Sequence, residues 1–329
     1  MSSALYPLLF EPVYKDYIWG GDRIIRKYNR GQPPGIYAES WEVSDRDDGM
    51  SVICNGMLKG RSLKDAIAQW GSGLMGTRVA SGRFPLLIKL IDSRERLSVQ
   101  VHPDDRSAAQ WGGEAKTESW YVLDTDPGAG VFAGLKPGVG AAEFQQAIKE
   151  ARFKELLSWV PVSPGDAIFI PGGLVHAIDE GCLLLEVQQN SNTTYRIYDW
   201  DRVGADGKPR PLHIQEALKV INWDLGDRAK AQAVRLAGPG ANEQWLVVES
   251  PYFRLERVKL EHNQMVEGLG ETFHVLFVSE GEVRIQWDGG SELLVPGTSC
   301  LVPAALSNVE LMPQNKLAEV LTISLPGAV

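Results

Sequence analysis

The sequence predicts a mainly β protein with a few helices, in two parts built on one plan. Two observations carry that expectation. First, short apolar runs are punctuated by 34 glycines and 19 prolines, the pattern of many brief strands separated by turns. The runs are Pro85 to Ile91, Leu97 to His102, Trp120 to Leu123, Ala167 to Ile170 and Cys182 to Gln188, then Tyr252 to Leu260, Thr272 to Val278, Glu282 to Trp287 and Leu293 to Pro296. Second, Gly165, five residues and Pro171 are echoed by Gly297, five residues and Pro303, each a turn, an apolar strand and a second turn. The first copy continues to Gly173 and His176; the second continues through Ala304, Ala305 and Leu306 without a histidine. Both halves therefore read as the same kind of barrel, with only the first equipped to hold a metal.

Helical signals are fewer. Ser62 is a capping residue ahead of Leu63 to Trp70, whose apolar positions recur every three to four residues. Ala141 to Trp159 places Phe144, Ile148, Phe153, Leu156 and Leu157 near one stripe, and Ile214 to Trp223 is a third segment of this kind. All three are expected to pack on the outside of a sheet. The tract from Gly226 to Asn242 is rich in alanine and glycine with weak periodicity, which marks a linker. The expected division of the 329 residues is a metal-binding domain over 1–225, with helices near 62–70, 141–159 and 214–223, a linker over 226–242, and a second barrel without a metal site over 243–329.

A hydrophobic content of 44% and a charged content of 23% are those of an ordinary globular chain with a sizeable core. A net charge of −9 excludes a general surface for nucleic acid or anionic membrane, although a phosphorylated small molecule needs only local cations. Cys54, Cys182 and Cys300 are far apart and odd in number, as in a reduced cytoplasmic protein. The first residues lack a basic, apolar leader, and no apolar run reaches membrane-spanning length. A cytoplasmic location is expected.

The chemistry concentrates in three pieces. Gln100 and His102 lie two apart in an extended run, so both leave one face, and Ser98 shares it. Lys116 and Glu118 repeat that spacing in a second run, and His176 ends a strand-turn-strand unit. Gln, His, Glu and His form a mixed oxygen and nitrogen set suited to one divalent metal, zinc first among them. Glu186, Gln188 and Asn190 share a face of the next strand, and Thr194, Arg196 and Tyr198 share one if their run is extended. Arg202 is a candidate second cation for the pocket, set against Asp199 and Asp201 nearby as ordinary ion-pair partners, and His213, His262 and His274 lack metal-donor partners at useful spacing and read as structural.

Gly-x5-Pro-x-Gly-x2-His resembles the second signature motif of the cupin superfamily, small jelly-roll barrels with a metal in the mouth. The first cupin motif has His-x-His and then Glu a few residues on; here Gln100 stands for the first histidine and Glu118 lies sixteen residues beyond His102. With that departure the chain resembles type I mannose-6-phosphate isomerases of the short bacterial form. Ile18 to Gly21, Tyr37 to Glu42, Phe84 to Leu90, Leu97 to Asp105, Lys116 to Glu118, Ile170 to His176 and Glu186 to Arg202 carry the resemblance across most of the first 225 residues. It implies two cupin-type barrels, the first metal-binding and helix-decorated, the second without ligands. It implies interconversion of mannose 6-phosphate and fructose 6-phosphate through a cis-enediol(ate), with one zinc per chain on Gln100, His102, Glu118 and His176.

In the same resemblance Arg196 stabilises the enediolate, Trp19, Glu39 and Glu186 line the pocket, and Lys89 and Ser98 contact substrate, with its phosphate as the expected group. Lys116, Glu186 and a water on the metal all remain candidates for the proton carrier. The implied partner is a small sugar phosphate, with neither nucleic acid nor membrane. Two other readings are an iron-dependent cupin oxygenase, which typically needs three histidines and a glutamate, and a sugar-phosphate sensor or an isomerase of another hexose phosphate.

Overall fold

The computed structural model describes residues 4–79, 82–150, 152–204, 207–236 and 242–327. Its strands form four sheets. An eight-stranded sheet runs in the order Val234–Arg235, Glu243–Glu249, Arg254–Leu260, Ala318–Ser324, His274–Glu280, Ser299–Val302, Leu8–Glu11 and Val52–Ile53. A four-stranded sheet follows the order Gln264–Met265, Glu310–Pro313, Val283–Trp287 and Gly290–Leu294. A six-stranded sheet takes Ala167–Ile170, Glu118–Thr125, Cys182–Gln189, Leu86–Ser93, Glu39–Val43 and Val13–Lys15. A five-stranded sheet takes Tyr195–Tyr198, Val99–Val101, His176–Ile178, Gly130–Leu135 and Leu157–Pro161.

The expectation of two cupin-type jelly-roll β-barrels is corrected here. Among the described residues every sheet is open, since its first and last strands do not pair. The apolar faces are buried by stacking instead of closure. Trp120, Ile168 and Leu184 of the six-stranded sheet share one core with Val131, Ala133 and Ile178 of the five-stranded sheet. Likewise Val258, Leu276 and Val320 of the eight-stranded sheet share a core with Val283, Ile285 and Leu311 of the four-stranded sheet. The mainly β composition with few helices, and the two β parts, stand.

By internal contact the chain divides into a unit of residues 1–13, 41–88 and 232–329 and a unit of residues 14–40 and 89–231, each assembled from separated segments. Of the tract 226–242, residues 237–241 lie outside the described residues. In its described part Arg228 donates from its backbone to Ala133, and Val234–Arg235 pairs with Trp245 and Leu246.

Leu63–Trp70 is helical and begins on a capping box between Ser62 and Asp65. The helix expected over 141–159 is shorter, Ala141–Lys149, followed by a 3₁₀ turn Phe153–Leu156 and the strand Leu157–Pro161; Ala151 lies outside the described residues. Its apolar stripe is real but folded back: Phe144 and Phe153 meet edge to face at 4.7 Å, and Leu157 pairs with Leu135. The third helix is Ile214–Val220. Both copies of the glycine-proline repeat form the expected turn, with Gly165 at φ +92° and Gly297 at φ +83°, a backbone region costly for other residues.

Candidate metal centre

The row that builds the site crosses the five-stranded sheet. Gln100 sits opposite His176 on one neighbouring strand and opposite Arg196 on the other, so all three side chains leave one face. His102 follows directly after its strand. The Pro171-Gly172-Gly173 turn ties the two histidines together, because the Gly173 amide donates to the His102 carbonyl at 2.7 Å. Gly173 has φ +87°, and a Cβ on Gly172 would come 2.6 Å from the Asp104 Cα, so the approach requires glycine. The six-stranded sheet supplies the other wall: Glu118 is in register with Ile170 and Gln188, and one row on Trp120 faces Glu186.

His102, Glu118 and His176 are buried, and their donor atoms lie within 4.8 Å of one another. His102 Nε2 is 3.5 Å from Glu118 Oε2, and His176 Nε2 is 3.4 Å from Glu118 Oε1. Two ligands held about 2.1 Å from one tetrahedral ion stand about 3.4 Å apart, so these separations fit a shared cation. Each histidine directs Nδ1 at a backbone carbonyl, His102 at Thr193 and His176 at Leu174, both at 2.8 Å. That bond places the proton on Nδ1 and leaves Nε2 an unprotonated donor, which in His102 stands 3.3 Å from Lys116 Nζ. Burial lowers the pKa of His102 well below the ordinary range, helped by Lys116, and burial brings that of His176 to about 4. Both imidazoles are therefore neutral at pH 7. Glu118 Oε1 is buried and accepts no hydrogen bond. Gln100 brings its amide nitrogen 3.3 Å from His176 Nε2; turning the amide over would present its carbonyl oxygen there.

Beside the donors runs a chain of alternating charge. Lys116 Nζ is 2.8 Å from Glu118 Oε2 and 4.0 Å from Glu186 Oε1. Lys89 Nζ is 3.2 Å from Glu186 Oε1 and 3.6 Å from Glu39 Oε2. Trp120 Nε1 donates to Glu186 Oε2 at 3.1 Å. Burial alone would push the carboxyl of Glu186 up, but Lys116 and Lys89 outweigh it and hold the group ionised. Glu118 is shifted the opposite way, raised by burial and by the charge of Glu186. Burial disfavours the charge on Lys89, and Glu39 and Glu186 more than compensate, raising its pKa.

A cavity of about 280 Å³ opens over this group. Trp19, Glu39, Lys89, Ser98, Gln100, Lys116, Glu186 and Arg196, all singled out from the sequence, line it, and His102, Glu118 and His176 form the cluster beside it. Thr194 lines it too, but Tyr198 does not, because the register shifts between Arg196 and Tyr198. Sequence reasoning missed Tyr17, Asn192 and Arg210 on the cavity wall. Arg202 does bind Asp199, at 2.6 Å, yet the second arginine of the cavity is Arg210, which the same carboxylate holds at 2.5 and 2.7 Å. Nothing periodic marks Arg210; only the loop's return past Asp199 brings it in. His213 accepts the Arg196 amide on Nδ1 at 3.1 Å.

Two neutral imidazoles and a carboxylate enclosed between stacked sheets define a β protein with a buried centre for one divalent metal. Residues 8–135 match the phosphomannose isomerase type I catalytic domain, and residues 242–322 match the mannose-6-phosphate isomerase cupin domain. The mannose-6-phosphate isomerase of Streptococcus mutans is 34% identical over 302 residues, covering 89% of this chain and 93% of that protein. Mannose-6-phosphate isomerase ManA of Bacillus subtilis is 41% identical over 217 residues, 65% of this chain and 68% of that protein. A crystal structure of the mannose 6-phosphate isomerase from Bacillus subtilis superposes with a TM-score of 0.87 at 29% identity, covering 96% of this chain and 99% of that one. The chain belongs to the type I mannose-6-phosphate isomerase family of the cupin superfamily, in its short bacterial form.

Proposed function

We propose that the protein interconverts mannose 6-phosphate and fructose 6-phosphate, with one zinc ion held by His102, Glu118, His176 and the turned amide of Gln100. The observation that carries this reading is a sugar-sized polar cavity lined by Gln100, Lys116, Glu186, Arg196 and Arg210, with the donor cluster beside it. When bound, zinc would supply a Lewis acid at the sugar's carbonyl and hydroxyl oxygens. The remaining work belongs to side chains. Lys116 and Glu186, a cation and an ionised carboxylate 4.0 Å apart on the cavity wall, divide the acid and base duties of moving a proton between the first and second carbons. Trp120 and Lys89 hold Glu186 in place.

Arg196, next to Gln100 in the sheet, meets the charge that develops on the enediolate. Its Nε is buried without a hydrogen bond, and one terminal nitrogen donates to the Pro211 carbonyl at 3.0 Å. Lys89 has its charge balanced by two carboxylates, whereas Arg210 shares the one carboxylate of Asp199 with Arg202. Arg210 is therefore the better anchor for the phosphate, with Ser98 and Trp19 shaping the sugar's bed. A cytoplasmic location belongs to the same proposal, supported by three unpaired cysteines. No helix of the described residues is long and apolar enough to cross a membrane. The test is a coupled assay on zinc-loaded protein with mannose 6-phosphate. Turnover abolished by chelation and restored by zinc supports the reading; zinc bound without turnover refutes it.

A further inference from the structure

The core-facing surface of the eight-stranded sheet changes character along its length. On alternate positions Leu260 and Val258 give way to Glu256 and Arg254, Val278 and Leu276 to His274, and Val320 to Thr322 and Ser324. The register aligns these changes, with Glu256 opposite Thr322, and Ser324 flanked by Arg254 and His274. This polar end floors a cavity of about 490 Å³, within the range of about 300–1,000 Å³ of small-molecule sites.

His274 is the decisive group. It is 7% exposed and lines the cavity; among the described residues the Gly268 backbone is the one group near enough to pair with its ring, and neither ring nitrogen has a side-chain partner. An unpaired buried imidazole is costly in a fold that could place an apolar ring there. Burial lowers its pKa to about 4, so at pH 7 it offers one donor and one acceptor. The two arginines around it are already matched. Arg254 binds Glu249 at 2.8 Å and Glu256 at 2.6 Å, and Arg78 binds Glu271 and the Pro326 carbonyl. Two arginines against three glutamates (Glu249, Glu256 and Glu267) leave the lining at −1, with no surplus cation for a phosphate or carboxylate. Among the described residues the one group of three metal donors is His102, Glu118 and His176, so no metal is indicated here. Gln244 adds an amide, itself bonded to Glu256 at 3.0 Å, and Val258, Met265 and Leu311 add apolar wall.

We propose that this cavity binds a neutral polyhydroxylated ligand, a hexose or short saccharide, whose hydroxyl groups pair with His274, Gln244 and Thr322 while its ring carbons pack on the apolar wall. The site is independent of the reaction proposed for the metal centre.

The test is calorimetric titration of the zinc-loaded full chain with D-mannose, D-glucose, maltose and cellobiose, with inorganic phosphate as a separate probe. Saturable binding of at least one sugar is expected, retained in His176→Ala and weakened about tenfold or more in His274→Phe and in Gln244→Leu. Thermal melts check that each variant folds; if His274→Phe does not, Gln244→Leu and Thr322→Val decide. Three results would overturn the proposal. They are no saturable sugar binding, sugar binding that His176→Ala abolishes but the cavity variants leave intact, and phosphate binding that the cavity variants abolish.

Discussion

Each unit contains a core-facing sheet surface that turns polar at one end, and the two ends differ in what their polar groups have left to offer. In the unit of residues 14–40 and 89–231, Val122 and Trp120 lead to Glu118, Ile178 leads to His176, and Leu184 leads to Glu186. In the other unit, Val258 leads to Glu256 and Leu276 leads to His274. Both histidines are buried and held neutral, with pKa values near 4. His176 differs in having its Nδ1 committed to a carbonyl and its Nε2 3.4 Å from a carboxylate oxygen that accepts no hydrogen bond. Among the described residues His274 has no carboxylate beside its ring nitrogens, and Glu249 and Glu256 near it are bound by arginine or amide groups. A metal centre thus depends less on possessing histidine than on convergence with a carboxylate that keeps one oxygen without a hydrogen bond, tautomers being fixed from behind.

The comparison breaks most sharply at the metal. His176→Ala should release the ion and lower turnover by at least about 1,000-fold, since it removes both a ligand and the Lewis acid. Metal content and a coupled assay read the two together; a variant with no metal and full activity would falsify the ligand assignment. Arg196→Ala should lower kcat by about 100- to 1,000-fold, the usual cost of losing one preorganised charge contact. Metal content should not change, because Arg196 flanks Gln100 without belonging to the donor cluster. Loss of metal alongside activity would reassign Arg196 to holding the site together.

The residues around the candidate metal cluster were legible because their information is local: alternation puts Gln100 and His102 on one face, Lys116 and Glu118 on another, and a glycine turn ahead of His176 is visible in any window. What could not be read is set by pairing between distant segments. Leu8 pairs with Leu301, and Trp120 meets Glu186 only through the register of two strands. Arg210 reaches the cavity only because Asp199 grips it. The barrel expectation failed for a similar reason, since alternation is identical whether a sheet closes on itself or stacks on another. The overlong helix over 141–159 failed because Phe153 continues an apolar stripe equally well from a helix or from a turn folded back beneath it.

Glycines sharpen the comparison at smaller cost. Gly173→Ala and Gly297→Ala each place a side chain at positive φ and should each destabilise the fold by roughly 1–3 kcal/mol. In the first, the new Cβ would also meet the Asn222 Cβ at 2.8 Å, in the turn bonded to His102, so zinc affinity should fall as well. In the second it should not. Equal loss of zinc affinity in both variants would mean that the centre responds to global stability and not to the local turn.

The smallest expected effect tests the unpaired imidazole itself. Burial first, and Arg78 to a lesser degree, depress the folded-state pKa of His274 to about 4, while an unfolded histidine titrates near about 6.5. Between those values the unfolded chain binds the extra proton, so His274's contribution is intact above about pH 6.5 and is lost as the pH falls toward 4. Between about pH 7 and pH 5.5 the loss should be roughly 1 kcal/mol. His274→Phe removes it, so on acidification the stability difference between the two proteins should shift by that amount in favour of the variant, other histidines contributing equally to both. Isomerase activity should be unchanged, because His274 lies outside the donor cluster and the cavity beside it. Stability curves that stay parallel from neutral to acid pH would mean that His274 finds a partner or water for its ring nitrogens, and the contrast with His176 would then rest on the carboxylate alone.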